Sequence, residues 1–449
     1  MEVRSSRRWW QRAVPVPVRR LLRSLSRRPA AAVALYVVIC TSSGLFPIGD
    51  TDLDLFFLPS ARVAANGHPL QVYTVRRGVD YPNANGPLSL VPLSAIVAVT
   101  DRIGWRDNIH LTRAAVMAFF SVFFLLMARE AMAAVDHLRE RRIAGPLRLL
   151  PYALFAASPL LWHSALLYGH VEEPLSLWLV LRAVRLLRRG QNGGAAVSLG
   201  LACLARTLAL LYLIPVGVLL LRLRRLRAAG QVATLCAATV ALGTLPFWIA
   251  DTGDVLFSLV SFRPRLPVFG GSVWLLTVGT PYEWVPQRYD ILFVTAAAAL
   301  MALLVARAWN GDRLGDRATY GTLTLTALCF PLLAKTVWPY YFFDAYGLAL
   351  IWWLGRPGSV RTRAFWRGIV VPLSPAGCAF LADWGVGLTT VSPAHLFESL
   401  LMTALLAACA LTLLVALVRT AGVSAVPEQV PSKQLSATGP ASRRPSPPA

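Results

Sequence analysis

The stretch GDTDLDLFFLPSARVAANGHPLQVY (Gly49–Tyr73) carries three aspartates in five residues, Asp50, Asp52 and Asp54. Other ionisable groups sit inside or beside apolar runs. His170, Glu172 and Glu173 lie in YGHVEEPL, Arg206 interrupts AAVSLGLACLARTLALLYLIPVGVLLL, and Lys335 stands in LLAKTVWPYYFF. Charge within or at the edge of a membrane span is costly and marks a functional candidate by default. Acids facing strong cations at a lipid boundary suit the transfer of a group off a lipid-linked phosphate. Arg or Lys donors hold the departing phosphate, and a carboxylate takes the proton of the attacking hydroxyl. One displacement of this kind inverts the reacting carbon and needs no protein nucleophile.

Bringing such distant groups together is work for a polytopic helical membrane protein. Hydrophobic residues make up 56% of the 449 and charged residues 15%, and apolar runs of about 18 residues or more recur. That pattern excludes a soluble multidomain protein. The formal net charge is +22, from 44 basic and 22 acidic side chains. The arginines recur between apolar segments instead of forming one surface, as the positive-inside rule expects of cytoplasmic loops, so no nucleic-acid partner is expected. Six cysteines stand singly without CxxC or Cys/His spacing, which indicates neither a disulfide framework nor a zinc site. His163 and His170 have no further ligand nearby in sequence; no metal or other cofactor is expected.

Arginine clusters fall at Arg4–Arg28, Arg139–Arg148, Arg182–Arg189, Arg222–Arg227, Arg307–Arg317 and Arg356–Arg367, with Arg443 and Arg444 in the tail. If all are cytoplasmic, neighbouring clusters enclose an even number of crossings. Spans are expected near 30–48 (an uncleaved first span), 112–133, 149–168, 170–187, 231–250, 290–307, 318–335, 338–354, 368–388 and 396–418. Pro87–Thr100 is too short to cross and reads as an interfacial helix. Ala195–Leu221 as one helix would be roughly 40 Å long, against a core of about 30 Å, and would bury Arg206 at its centre. Parity asks instead for two short helices turning near Arg206. The expected fold is an all-α integral membrane protein of about twelve transmembrane helices, both termini cytoplasmic. Residues 1–29 form a basic cytoplasmic segment, 30–418 the membrane domain with external loops at 49–111 and 251–290, and 419–449 a Pro/Ser/Ala-rich disordered tail.

Three stretches carry a family resemblance: DLDLFFLPSARVAANGHPLQVY, YPNANGPLSLVPL and GHVEEPLSLWLVLRAVRLLRRGQNGGAAVSLGLACLARTLALLYLIP. They resemble the acidic loop, the Tyr-Pro segment and the Gly-turn, small-residue helix and basic break of membrane-embedded glycosyltransferases of the GT-C superfamily. Within it the layout is most similar to glycosyltransferase family 87 and related actinobacterial mannosyltransferases, over roughly residues 30–355. The resemblance implies a polyprenol-phosphate sugar donor, most plainly mannose, and a lipid-linked or envelope-glycan acceptor. It implies a plasma-membrane enzyme with its active site on the outer face. Its catalytic aspartate corresponds to Asp54, with Asp52 the alternative. Arg206, Lys335 and Arg113 are the expected phosphate ligands, with Arg263 and Arg265 as weaker candidates; His170, Glu172, Glu173, Tyr81 and Asn83 would shape the sugar pocket.

Each residue also has a plainer reading. Asp50, Thr51 or Asp52 could cap a helix beginning near Leu53. Glu172 and Glu173 before Pro174 complement a helix N-terminus, His170 fits a turn, and Arg206 and Lys335 could snorkel to an interface. Trp338–Phe343 reads as an interfacial aromatic belt. At the level of the whole chain the alternatives are a twelve-span secondary transporter or lipid-carrier flippase, and a non-catalytic envelope scaffold. Transporters place coupling charge near the bilayer midplane, often in repeated halves.

Overall fold

The computed structural model describes residues 29–45, 51–74, 83, 85–106, 108–139, 152, 154–155, 168–312, 314–356, 367–386 and 391–422, with Val16, Arg20 and Ser24. Asp50, Tyr81, His163, most of the expected span at 149–168 and the tail from 423 lie outside the described residues.

The described chain is all-α. Helix α1 (Pro29–Ser43) is followed by a π-helical turn, Leu53–Phe57, that runs directly into α2 (Leu58–Ala65). Next come α3 (Leu90–Arg102), α4 (Ile109–Leu138), α5 (Glu172–Arg188), α6 (Asn192–Ala205), α7 (Leu213–Arg222) and α8 (Leu226–Ala250). The second half holds α9 (Trp284–Ala308), α10 (Arg317–Leu333), α11 (Phe343–Leu354), α12 (Val370–Val386) and α13 (Pro393–Gly422). Two strands of two residues each, β1 (Phe269–Gly270) and β2 (Thr336–Val337), pair in parallel. Gly270, at φ +68°, lets this clasp close, since a Cβ there would overlap the Val337 carbonyl oxygen.

Helices α4, α8, α9 and α13 are long and apolar enough to cross a membrane. Their outer faces fit lipid better than water: Leu242 and Ile249 of α8 are 71% and 77% exposed, and Leu292 and Leu303 of α9 are exposed too. Such a belt in water would be an association surface. Helix α3 packs along α2 and α4, in keeping with a short helix over 87–100. Helix α9 begins ahead of the expected residue 290, and α11 is shorter than the expected span because a 3-10 turn, Pro339–Phe342, takes up its start.

The chain reverses at Arg206. Helix α6 stops at Ala205 because Arg206 is extended, φ −145° and ψ 121°, and a 3-10 turn, Thr207–Tyr212, leads into α7. A Cβ on Gly200 would meet Thr239 at 2.6 Å and one on Gly243 would meet Leu204 at 2.4 Å, so α6 and α8 run parallel. Helices α7 and α8 pack together across only Leu223–Arg225, which makes them antiparallel. Helices α6 and α7 are therefore the two arms of a hairpin. Buried Ala195, Ala196, Ser198, Gly200 and Ala202 let α6 lie close to both α5 and α8, the small-residue packing used where lipid supplies no hydrophobic drive.

Basic residues gather at one end of the bundle and satisfy helix C-terminal carbonyls, where cations complement the macrodipole. Arg139 donates to the carbonyls of Leu354 and Arg356 at 2.7 and 3.0 Å, and Arg222 to that of Ala306 at 3.0 Å. Helix α5 runs from Glu172 to Arg188, so the acidic residues at its start lie about 25 Å from this basic end.

Candidate active site

The two aspartates of the first loop have different surroundings. Asp54, in the π-turn, is closed: Oδ1 accepts from Nε of Arg113 at 3.2 Å, and Oδ2 takes Arg113 Nη2 together with the backbone N–H and hydroxyl of Thr51 at 2.9 and 2.8 Å. It therefore does the capping work, reaching back to the start of its own turn as in a capping box. Asp52, at the N-cap position, makes no capping bond. Its side chain is 25% exposed, and Oδ2 lies 2.8 Å from Nε2 of His170.

Gly169, at φ +72°, brings His170 against that turn; a Cβ there would sit 2.3 Å from Cβ of Leu53. The other ring nitrogen, Nδ1, lies 2.6 Å from Glu172. Only an imidazolium donates to both carboxylates. Burial alone lowers the His170 pKa, but Glu172 and Asp52 outweigh it and raise the group to about 10. Asn85 Nδ2 donates to Glu172 at 3.2 Å.

Arg206, at the tip of the hairpin, extends the network. It pairs with Glu173 at 2.8 Å and with Asp344, in the first turn of α11, at 3.4 Å; Tyr212 donates to Asp344 at 2.9 Å. Within this network four carboxylates face two cations. Oε2 of Glu172 and Oδ1 of Asp344 are buried without a hydrogen bond, so each has capacity for a donor that a ligand or water brings.

No protein-family model matches the chain, and neither does any curated protein.

Around His170 lies an aromatic wall. Tyr340 stacks on the imidazole at 3.6 Å between centroids, Trp338 is parallel to Tyr340, and Tyr168 packs on Tyr340 while donating to Asp383 at 2.8 Å. This corrects the aromatic-belt reading of Trp338–Phe343: Tyr340, Phe342 and Phe343 are buried and Trp338 partly so. Tyr340 faces His170 and Phe343 packs on Phe124, inside the protein and not at the lipid boundary.

Other expected residues meet different partners. Lys335 is fully buried, neither snorkelling nor turned to the acids; its Nζ donates to the Pro264 carbonyl at 2.8 Å and its backbone N–H to Asp290 at 3.2 Å. Arg263 pairs with the same Asp290 at 3.1 Å, and Arg265 lies over the Phe257 ring. Asn83 closes the loop locally on Asn85. Tyr81 lies outside the described residues. Tyr340 reads from the sequence only as part of the interfacial aromatic run, and Asp344, Tyr168 and Tyr212 are not singled out there. Asp344 had a signal, an acid in the first turn of an apolar segment; the tyrosines had none apart from their positions.

Proposed function

We propose that the chain is an integral membrane glycosyltransferase of about twelve spans and GT-C type. It moves a sugar, mannose by its family resemblance, from a polyprenol phosphate to a hydroxyl of an envelope lipid or glycan on the outer face. The observation that carries this reading is the half-open Asp52 held by a His170 that Glu172 holds in turn. Asp52 takes the acceptor proton as the acceptor oxygen bonds to the anomeric carbon, and the bond from that carbon to phosphate breaks with polyprenyl phosphate leaving. His170 fixes the carboxylate, and Tyr340 and Trp338 offer ring faces for the sugar. Arg206, oriented by Glu173 and Asp344, supplies fixed positive charge. Asp54 and Arg113 brace the turn, and Lys335 braces the loop at Pro264. The alternation of helix directions around the Arg206 hairpin, with arginines at the opposite end, supports twelve crossings and cytoplasmic termini.

The test is transfer in isolated membranes from a radiolabelled polyprenol-phosphate mannose. Wild type transfers and Asp52→Asn does not; transfer that survives the substitution removes Asp52 from the role. One observation favours the transporter reading, namely that acids outnumber cations in the network. Solute uptake without glycosyl transfer would decide for it.

A further inference from the structure

A groove of about 690 Å³ opens on the side of the bundle, away from the acid network, between α3, α4, α5 and α6. That is within the roughly 300–1,000 Å³ of ligand cavities. Its walls are apolar, with Val91, Phe123, Trp178 and Val197 among them, and Val91 and Val197 are exposed along the open side. Gly193 and Gly194 leave its lower part unfilled.

One cation stands in this apolar wall. Arg182 lies on the stripe of α5 that also presents Leu175, Trp178, Leu179 and Leu186, and it is exposed. Helical side chains tilt toward the N-terminus, so its guanidinium is carried toward the middle of α5. There its Cζ sits 5.8 Å from the centre of the Trp178 ring. No carboxylate pairs with Arg182 among the described residues, whereas Arg185, one turn on, pairs with Glu130 at 2.9 Å. An arginine is always charged, and in a lipid-facing groove its charge calls for an anion that can enter from the side.

We propose that this groove binds an anionic phospholipid of the surrounding bilayer, its phosphate on Arg182 and one acyl chain between α3, α4, α5 and α6. The site complements both parts of such a molecule: one cation for one phosphate, and an apolar channel continuous with the hydrocarbon. It is independent of the transfer reaction, since none of its residues belongs to the acid network.

The test uses the full chain in mild detergent, stripped of lipid and titrated with phosphatidylglycerol or phosphatidylcholine, with bound lipids counted by native mass spectrometry. Wild type prefers phosphatidylglycerol, and Arg182→Gln binds it roughly fivefold more weakly, the effect of one lost charge contact. Arg182→Lys keeps the preference. Gly194→Leu loses both lipids; a Cβ there meets Leu186 at an ordinary 3.5 Å, so the added side chain fills the groove without moving the backbone. Asp52→Asn binds as wild type, which separates this site from the proposed reaction. Equal binding of the two lipids by wild type, or undiminished phosphatidylglycerol binding by Arg182→Gln, overturns the proposal. Tighter, Gly194→Leu-sensitive binding of a polyprenyl phosphate overturns the choice of occupant.

Discussion

Asp52 and His170 meet at 2.8 Å across the mouth of the acid network, with the imidazole the donor and the carboxylate still partly open to solvent. Asp54, two residues on in the same turn, has no such opening because Arg113 and Thr51 occupy both its oxygens.

The two aspartates should therefore fail differently. Asp52→Asn should leave the fold intact and lower transfer by about 10²–10⁴, the usual contribution of a general base. Asp54→Asn should instead lower the thermal midpoint of the purified protein, since breaking a buried ion pair costs about 3–5 kcal/mol. Transfer assays beside thermal unfolding of both variants separate the roles; a stable but inactive Asp54→Asn would reverse the assignment.

The pairing of His170 with its two acids should depend on pH with a definite sign. A histidine whose folded pKa is raised contributes stability in full below its unfolded value of about 6.5 and loses it as pH rises through the folded value of about 10. The midpoint of wild type should fall between those limits. His170→Gln, with nothing to titrate, should lack that fall. Parallel slopes in the two proteins would count against a cationic His170.

Arg206 should be worth more to the fold than an ordinary surface arginine. Arg206→Met strands Glu173 and Asp344 in a buried site, and the expected loss is again about 3–5 kcal/mol. Adding Glu173→Gln should restore part of it, with a coupling energy of about 0.5–3 kcal/mol in the double-mutant cycle. Additive losses would mean that the 2.8 Å contact contributes nothing specific.

Sidedness can be read chemically. All six cysteines are buried, so an impermeant maleimide should leave the wild-type chain unlabelled in intact cells. His68→Cys, at an exposed turn on the acid-network end, should label from outside, and Gln191→Cys, between α5 and α6, only after permeabilisation. Labelling of both from one side would remove the proposed topology.

Some of this architecture was legible from residue cost. The apolar run around Arg206 is too long for one span and as a single helix would bury a charge at its centre, so a break there follows from length and electrostatics alone. Partner choice was not legible. Lys335 and Arg206 look alike in sequence, each a lone cation among apolar residues, yet one meets a backbone carbonyl and the other two acids. The aromatics at 338–343 misled because ring residues are enriched both at interfaces and around buried sites. His395 and Glu398, buried 3.9 Å apart at the start of α13, passed unnoticed inside the last apolar segment. Within the first loop the aspartates look alike in sequence; only three-dimensional contacts assign Asp54 to the cap.

The Glu173–Arg206 contact also bears on how the chain is made. Both residues leave the ribosome well before Asp344, and each alone would cost about 2.5–3.5 kcal/mol on insertion scales as it passes the bilayer centre on its way to the outer side. Joined to each other, they let α5 and α6 leave the translocon as a pre-neutralised pair. Asp344 then arrives at a charge already in place, so the order of synthesis matches the order in which the buried charges become tolerable.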